Sequence, residues 1–218
     1  MMEKKSRHAM SLKRESLDRD FFARDTLTVA RELLGQRLVR VLDGKRVSGR
    51  IVEVEAYVGD GDQACHASRG RTRRNATMFG PPGHAYVYFI YGMHYCLNVV
   101  TEREGYPAAV LVRALEPLEG IERMRARRGG RPDAQLTSGP ARLCQALGID
   151  LRFDGADLCA SDALLFIEDD AAVPDGSAEA SPRSEAIATG PRIGVRGDEV
   201  ALTVPWRFYV RDNRYVSR

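Results

Sequence analysis

QRLVRVLDGKRVSGRIVEVEAYV, residues 36–58, organises the reading of the chain. Two runs rich in Val, Ile and Leu flank Asp43-Gly44. That dipeptide suits a two-residue hairpin turn, whose central residues both need positive φ. The spacing therefore predicts a β-hairpin. Its second run alternates with period two, so Ile51, Glu53, Glu55 and Tyr57 share one face, and Val52, Val54, Ala56 and Val58 share the other. The second set reads as core. The first puts two carboxylates beside a tyrosine at the end of a strand that opens into a basic loop. That pattern fits either a solvated sheet face or a site built on a rigid element.

Upstream, Asp25 can cap a helix whose apolar stripe is Leu27, Ala30 and Leu33/Leu34, with Gly35 as its stop. Residues 1–20 are polar and charge-mixed and read as a flexible arm. Downstream, residues 59–84 read as a long loop rich in Gly, Arg, Asp and Pro. AYVYFIYGMHYCLNVV (85–100) predicts a second hairpin broken at Gly92, and PAAVLVRAL (107–115) another strand. PLEGIERMRARR (117–128) predicts a helix, as does TSGPARLCQALG (137–148) with Ser138 as cap and Gly148 as stop. ALLFIED (163–169) is a strand and 171–186 a small polar loop, and strands near 187–195 and 205–211 follow. No repeat or linker divides the chain. Residues 21–218 therefore read as one α+β domain, with helices around an antiparallel, partly closed sheet.

At 218 residues the chain is long enough to bury a full core without disulfide or metal staples. Its four cysteines, Cys65, Cys96, Cys144 and Cys159, form no CxxC pair and read as reduced thiols of a cytoplasmic protein. No run approaches the ~20 apolar residues of a membrane span, and the N-terminus lacks the apolar segment of a secretory signal. Net charge is only +3, but arginines cluster. Arg69, Arg71, Arg73 and Arg74 form one group and Arg123, Arg125, Arg127, Arg128 and Arg131 another. Such patches suit a polyanion, with a solvated helix face as the alternative for the second.

Tyr86 and Tyr88 share a strand face, and Tyr91, before Gly92, falls at a hairpin tip, where a ring can wedge between bases. His66, His84, His94 and Cys96 lack metal-ligand spacing, so no metal is expected. TSGPAR offers amides at a helix start, a ready but unspecific anion site. No P-loop or GxGxxG is present, so no nucleotide cofactor is expected.

Taken together, GRIVEVEAYVGDGDQACHASRGRTRRNATMF, AYVYFIYGMHYCLNVV, VLVRALEPLEGIERMRARR, LTSGPARLCQALGI and GPRIGV resemble the alkyladenine (3-methyladenine) DNA glycosylase family, from about Leu34 to Val210. The resemblance implies a sheet like the C-terminal barrel of formyltransferases. It also implies a monofunctional, cofactor-free enzyme that flips alkylated or deaminated purines out of duplex DNA and hydrolyses the N-glycosidic bond, acting as a monomer. Glu55 would be the general base, and Arg113 would help hold the attacking water, with the Ile193 carbonyl completing that cage. Tyr57, His66 and Tyr88 would stack on the extruded base, and Asn98 would read its identity. Tyr91 would be the wedge, and Arg74, Met78, Ser138 and Gly139 would contact the DNA strand. A non-catalytic nucleic-acid-binding module with the same basic, aromatic surface is the other reading. It differs in needing no Glu55–water–Arg113 arrangement. A formyltransferase-like domain acting on RNA would rest on fold analogy alone.

Overall fold

In the computed structural model, which describes residues 16–59, 61–169 and 186–217, the Asp43-Gly44 turn joins β1 (Arg37–Leu42) to β2 (Lys45–Val58), with Leu42 facing Lys45. Both turn residues have the positive φ this turn demands, 50° and 70°. β2 is the axis of the sheet. One edge pairs with β5 (Ala108–Glu119) from Ser48 to Val58. The other pairs first with β1 and then, over Glu53–Glu55, with β8 (Arg207–Val210). The second expected hairpin, β3 (Ala85–Ile90) and β4 (His94–Thr101), joins through β4 to β5. β6 (Leu165–Glu168) pairs with β1, and β7 (Ile187–Gly190) with β8. Every pairing is antiparallel, and the eight strands curl into a half-barrel.

Five helices accompany the sheet among the described residues: α1 (Arg19–Phe22), α2 (Thr26–Leu33), α3 (Ile121–Arg127), α4 (Pro140–Leu147) and α5 (Glu199–Thr203). The Asp25 carboxylate accepts from the Thr28 N–H and caps α2, which buries Val29, Ala30 and Leu33. α4 buries Leu143, Cys144, Ala146 and Leu147 and ends at Gly148 in the left-handed conformation. These faces pack with Val54, Ala56, Val87, Leu97, Val99, Val110 and Val112 in one core. Burying a side chain of this kind stabilises by about 1.5–3 kcal/mol. The opposite sheet face carries a smaller cluster of Cys65, Ala67, Met78, Tyr86, Val100 and Ala109, with Tyr57, Phe79 and Tyr88 against it.

Four expectations change. The β2 alternation holds from Glu53 onward but slips between Ile51 and Val54, where the ladder to β5 shifts register. Ile51 consequently joins Val54 and Ala56 in the core instead of sharing a face with the glutamates. The helix expected from Pro117 starts at Ile121, because β5 runs on to Glu119. Pro117 is tolerated there since it faces Gly49 beside a ladder irregularity, where its missing N–H costs little. Ser138 does not cap α4: Gly139 holds that position with no side-chain cap, and Ser138 instead bridges to Ala114. Finally, the arm expected over 1–20 lies outside the described residues up to 15, but Ser16–Asp20 are in place. Ser16 bridges to Glu168, the Leu17 N–H donates to the Ile167 carbonyl, and Asp18 caps α1. The loop expected over 171–186 lies, save Ala186, outside the described residues.

Candidate active site

Strand register assembles the site. One ladder row runs across five strands, from Tyr86 on β3 to Asn98 on β4, Leu111 on β5, Glu55 on β2 and Arg207 on β8. Residues two positions away on the same face add Tyr88, Cys96, Ala109, Arg113, Glu53 and Tyr57. The face that the helices leave uncovered thus carries nearly all the polar chemistry of the sheet.

Glu55 is fully buried. Its Oε1 accepts from the Ile193 N–H at 2.7 Å and lies 3.1 Å from Arg113 Nη1, and its Oε2 accepts from the Tyr57 hydroxyl at 3.0 Å. Burial pushes the carboxyl pKa above its ordinary value. The Arg113 charge, the Ile193 amide and the Tyr57 hydroxyl pull it down without cancelling the shift. Tyr57 titrates well above the usual phenol range, through burial and the Glu55 charge, and stays a donor. Arg113 reaches three ways: Nη1 to Glu55, Nε to Glu53 Oε1 at 3.1 Å, and Nη2 to the Ser217 hydroxyl at 3.2 Å.

In front of this cluster opens a cavity of about 840 Å³, lined by Tyr57, His66, Met78, Tyr88, Asn98 and Arg113 among others. Its size lies within the ~300–1,000 Å³ of small-molecule pockets. Glu55 sits just behind the wall, screened by Tyr57, Arg113 and Ile193. The His66 ring meets the Tyr88 ring edge-on at 4.6 Å, and its Nδ1 lies 2.9 Å from the Tyr86 hydroxyl. Removal of water from the imidazole, with the Arg74 charge near it, lowers the His66 pKa, which favours the neutral ring. A neutral imidazole and protonated phenols give the cavity electron-rich aromatic walls beside its arginines. Such walls attract a flat, electron-poor or cationic ring.

The remaining expected residues fall around this cavity. Tyr91 lies at the β3–β4 tip, 80% exposed and at φ 54°, a conformation uncommon for a bulky residue. Arg74 stacks over the Tyr88 ring at 5.4 Å, and Arg69, Arg74 and Arg196 line the cavity rim. Pro140 and Ala141 place the Ser138–Gly139 turn beside the opening, where the Ser138 hydroxyl accepts from Arg142 at 2.9 Å. Met78 is buried in the aromatic cluster at the cavity wall, not out on the strand-facing rim. The Asn98 Nδ2 donates to the Tyr86 carbonyl at 3.0 Å, which ties β3 to β4 while the side chain also lines the cavity. Ile193 reaches Glu55 through its amide N–H, a contact beyond the one expected of its carbonyl in the water cage.

The second arginine cluster is different. Arg123 pairs with Asp43, Arg125 with Glu122 and Asp133, and Arg128 with Gln145, and none of them lines the cavity. For these three the solvated-face reading fits. Sequence reasoning passed over Arg192 and Asp62, a buried bidentate pair with contacts of 2.6 and 2.8 Å, in which the guanidinium lies 4.8 Å from the Tyr57 ring. It also passed over Ser217. All three lie in loops, where no periodicity signals a partner.

Comparison with known proteins places this geometry. The family model described as methylpurine-DNA glycosylase matches residues 20–214. A protein of Methanocella arvoryzae provisionally named 3-methyladenine DNA glycosylase is 53% identical over 204 residues, covering 93% of this chain and 96% of its own. Proteins with the same provisional name are similar at 52% identity over 202 residues in Burkholderia lata and 48% over 202 residues in Carboxydothermus hydrogenoformans. These alignments cover 92% and 93% of this chain and 90% and 98% of theirs.

Proposed function

The chain belongs to the methylpurine-DNA glycosylase family, and we propose that it is the DNA glycosylase which removes alkylated purines by hydrolysis at the start of base excision repair. Its substrate is damaged double-stranded DNA, and deaminated purines such as hypoxanthine fit the same cavity. The observation that carries the reading is the buried Glu55 carboxylate, tied to Arg113 behind an aromatic-walled cavity with arginines at its mouth.

A base stacked in a duplex cannot be reached, so the nucleotide rotates into the cavity. Tyr57, Tyr88 and His66 provide its stacking walls, and Asn98 tests the base edge. Unstacking costs a few kcal/mol, and the Tyr91 ring at the exposed tip fills the gap and offsets part of it. The Arg69, Arg74 and Arg196 guanidiniums and the Ser138–Gly139 turn face the phosphates. Glu55 keeps acceptor capacity on Oε2 beyond the Tyr57 bond. A water there gives its proton to Glu55 as its oxygen bonds to the sugar C1′. The bond from C1′ to the purine nitrogen breaks, and the base leaves with the electron pair. The carboxylate also stabilises the positive charge that builds on the sugar, and Arg113 holds it in place. Since the base must be ionised, the rate falls as pH drops through the raised Glu55 pKa. The acid limb of the pH–rate profile therefore lies above the ordinary carboxylate range.

Action as a monomer belongs to the same reading, and a DNA substrate together with four free thiols in the protein suits the cytoplasm. Among the described residues no helix is long and apolar enough to cross a membrane. Strand cleavage by a glycosylase needs an amine that forms a Schiff base. No lysine follows Lys45, and Lys45 lies beside the Asp43-Gly44 turn and not at the cavity. The N-terminal amine is the one other candidate, and on this reading the product is an intact abasic site.

Incubation with duplexes bearing 3-methyladenine, 7-methylguanine, hypoxanthine or ethenoadenine is expected to release free base without strand nicking. No release from any of them, or a borohydride-trapped covalent adduct, would overturn the reading. In the same assay Tyr91→Ala should weaken lesion-duplex binding by ~1–3 kcal/mol, the usual loss for a stacking group. Its melting temperature should stay unchanged, since an 80% exposed ring adds little core. Unaltered affinity would remove Tyr91 from the wedge role.

A further inference from the structure

Glu53 has no part in the scheme above, although it is as buried as Glu55. Its Oε1 accepts from Arg113 Nε at 3.1 Å, Arg207 Nη1 at 3.1 Å and the Ser217 hydroxyl at 2.9 Å, and its Oε2 accepts from the Ser217 N–H at 2.7 Å. The Ser217 hydroxyl in turn accepts from Arg113 Nη2 at 3.2 Å. A closed ring of Glu53, Ser217 and Arg113 therefore grips two of the three guanidinium nitrogens, and only Nη1 is left to turn toward Glu55. Segment 211–217 is brought there by its own turns, in which the Tyr215 N–H bonds the Asn213 side chain and the Val216 N–H the Asn213 carbonyl.

We infer that Glu53 and Ser217 are positioning residues that hold Arg113 against the Glu55 carboxylate, so that segment 211–217 is part of the catalytic apparatus. The inference rests on the glycosylase reading for its rates but not for its geometry. An arginine on a free side chain samples many rotamers, and one held by a buried carboxylate and a hydroxyl presents a fixed nitrogen. The charges balance in number: Glu53 and Glu55 face Arg113 and Arg207.

Ser217→Ala removes the hydroxyl and leaves every charge in place. Displacing a group near the chemistry by ~1 Å costs about 100-fold. Partial loosening is expected to slow single-turnover base release by roughly tenfold, with lesion-duplex affinity unchanged. Ser217→Thr, which keeps the hydroxyl, should restore the rate. The acid limb supplies a readout that a merely structural role would not move. The groups facing Glu55 are Arg113 from β5, Tyr57 and Glu53 from β2, Arg207 from β8, and Tyr88 and Cys96 from the β3–β4 hairpin. Arg192 and the Ile193 amide face it from the segment after β7. Among these, Ser217→Ala alters only the hold on Arg113 and one donor to Glu53. Weaker Arg113 support lets burial raise the Glu55 pKa further, so the acid limb moves to higher pH. Glu53→Gln, the second variant, should slow release more than Ser217→Ala does, because it takes the anchoring charge from Arg113.

The ¹³Cδ titration of Glu55 in the full chain, native against Ser217→Ala, reads the same clamp without turnover. An upward shift supports the inference even if no lesion is processed, in which case only the glycosylase reading falls. An unmoved titration, or a folded Ser217→Ala variant with native rate and native acid limb, overturns it.

Discussion

Glu55→Gln is expected to release base at least ~100-fold more slowly than the native chain, the usual scale for loss of a general base, while lesion-duplex affinity stays close to native. The amide keeps the size of the carboxyl, so the cavity walls and the fold should persist. It cannot take a proton from water, and it carries no negative charge to meet the developing positive charge on the sugar. The Ile193 N–H and the Tyr57 hydroxyl, both donors to the carboxylate, would meet one oxygen and one NH2 group. The residual rate should therefore lose its acid limb as well as its magnitude. Single-turnover excision with 3-methyladenine or hypoxanthine duplexes measures the loss, and gel-shift titration on the same duplexes measures binding. Excision near the native rate would remove Glu55 from the chemistry. Equal loss of binding and excision would instead point to a collapsed pocket.

The largest effect on stability is expected at Arg192. Its guanidinium makes a bidentate pair with Asp62, and the two side chains are 0% and 1% exposed. It also donates to the Ala56 and Ala201 carbonyls, at 3.0 and 3.2 Å. Arg192→Met removes one partner and leaves the Asp62 charge buried, which costs about 3–5 kcal/mol in such pairs. Asp62 retains the Val58 and Ala64 N–H donors, so the lower end of that range is expected. Urea unfolding of Arg192→Met against the native chain tests this. The exposed Arg24–Glu32 pair serves as control, with a cost of about 0–1 kcal/mol. Arg192→Met/Asp62→Asn should recover part of the loss, because no unpaired charge remains. Base release should fall further than stability alone explains, since Arg192 also backs the Tyr57 ring at 4.8 Å. A loss under ~1 kcal/mol would show that Asp62 is not left as an uncompensated buried charge.

Both predictions join residues far apart in the chain, and that separation marks how far the sequence reaches. By itself it determined the local elements whose signals are local. Asp43-Gly44 specified a hairpin because few dipeptides tolerate two positive φ angles. Asp25 and Gly35 bracketed α2, and alternation paired Glu55 with Tyr57 on one strand's face and Tyr86 with Tyr88 on another strand's. The strand signals also sufficed for an antiparallel α+β sheet, and the linked motifs for the family. A hairpin tip at Tyr91 likewise follows from the Tyr91-Gly92 order, whereas its left-handed φ does not.

Tertiary structure alone decided which strands lie side by side and in what register. Nothing in 85–115 or 45–58 states that Asn98, Leu111 and Glu55 share one row, because register between non-adjacent strands is set by packing of both faces and not by either strand's own pattern. The slip at Ile51 is of the same kind: a bulge needs two strands to exist. The partners of Glu55 and Glu53 come from Arg113, Ile193, Arg207 and Ser217. A buried carboxylate takes whatever donors the fold brings to it, since leaving it unpaired would cost several kcal/mol. Loop residues such as Asp62, Arg192 and Ser217 have no periodicity to announce them, so their meeting was visible only once the chain had closed around that carboxylate pair.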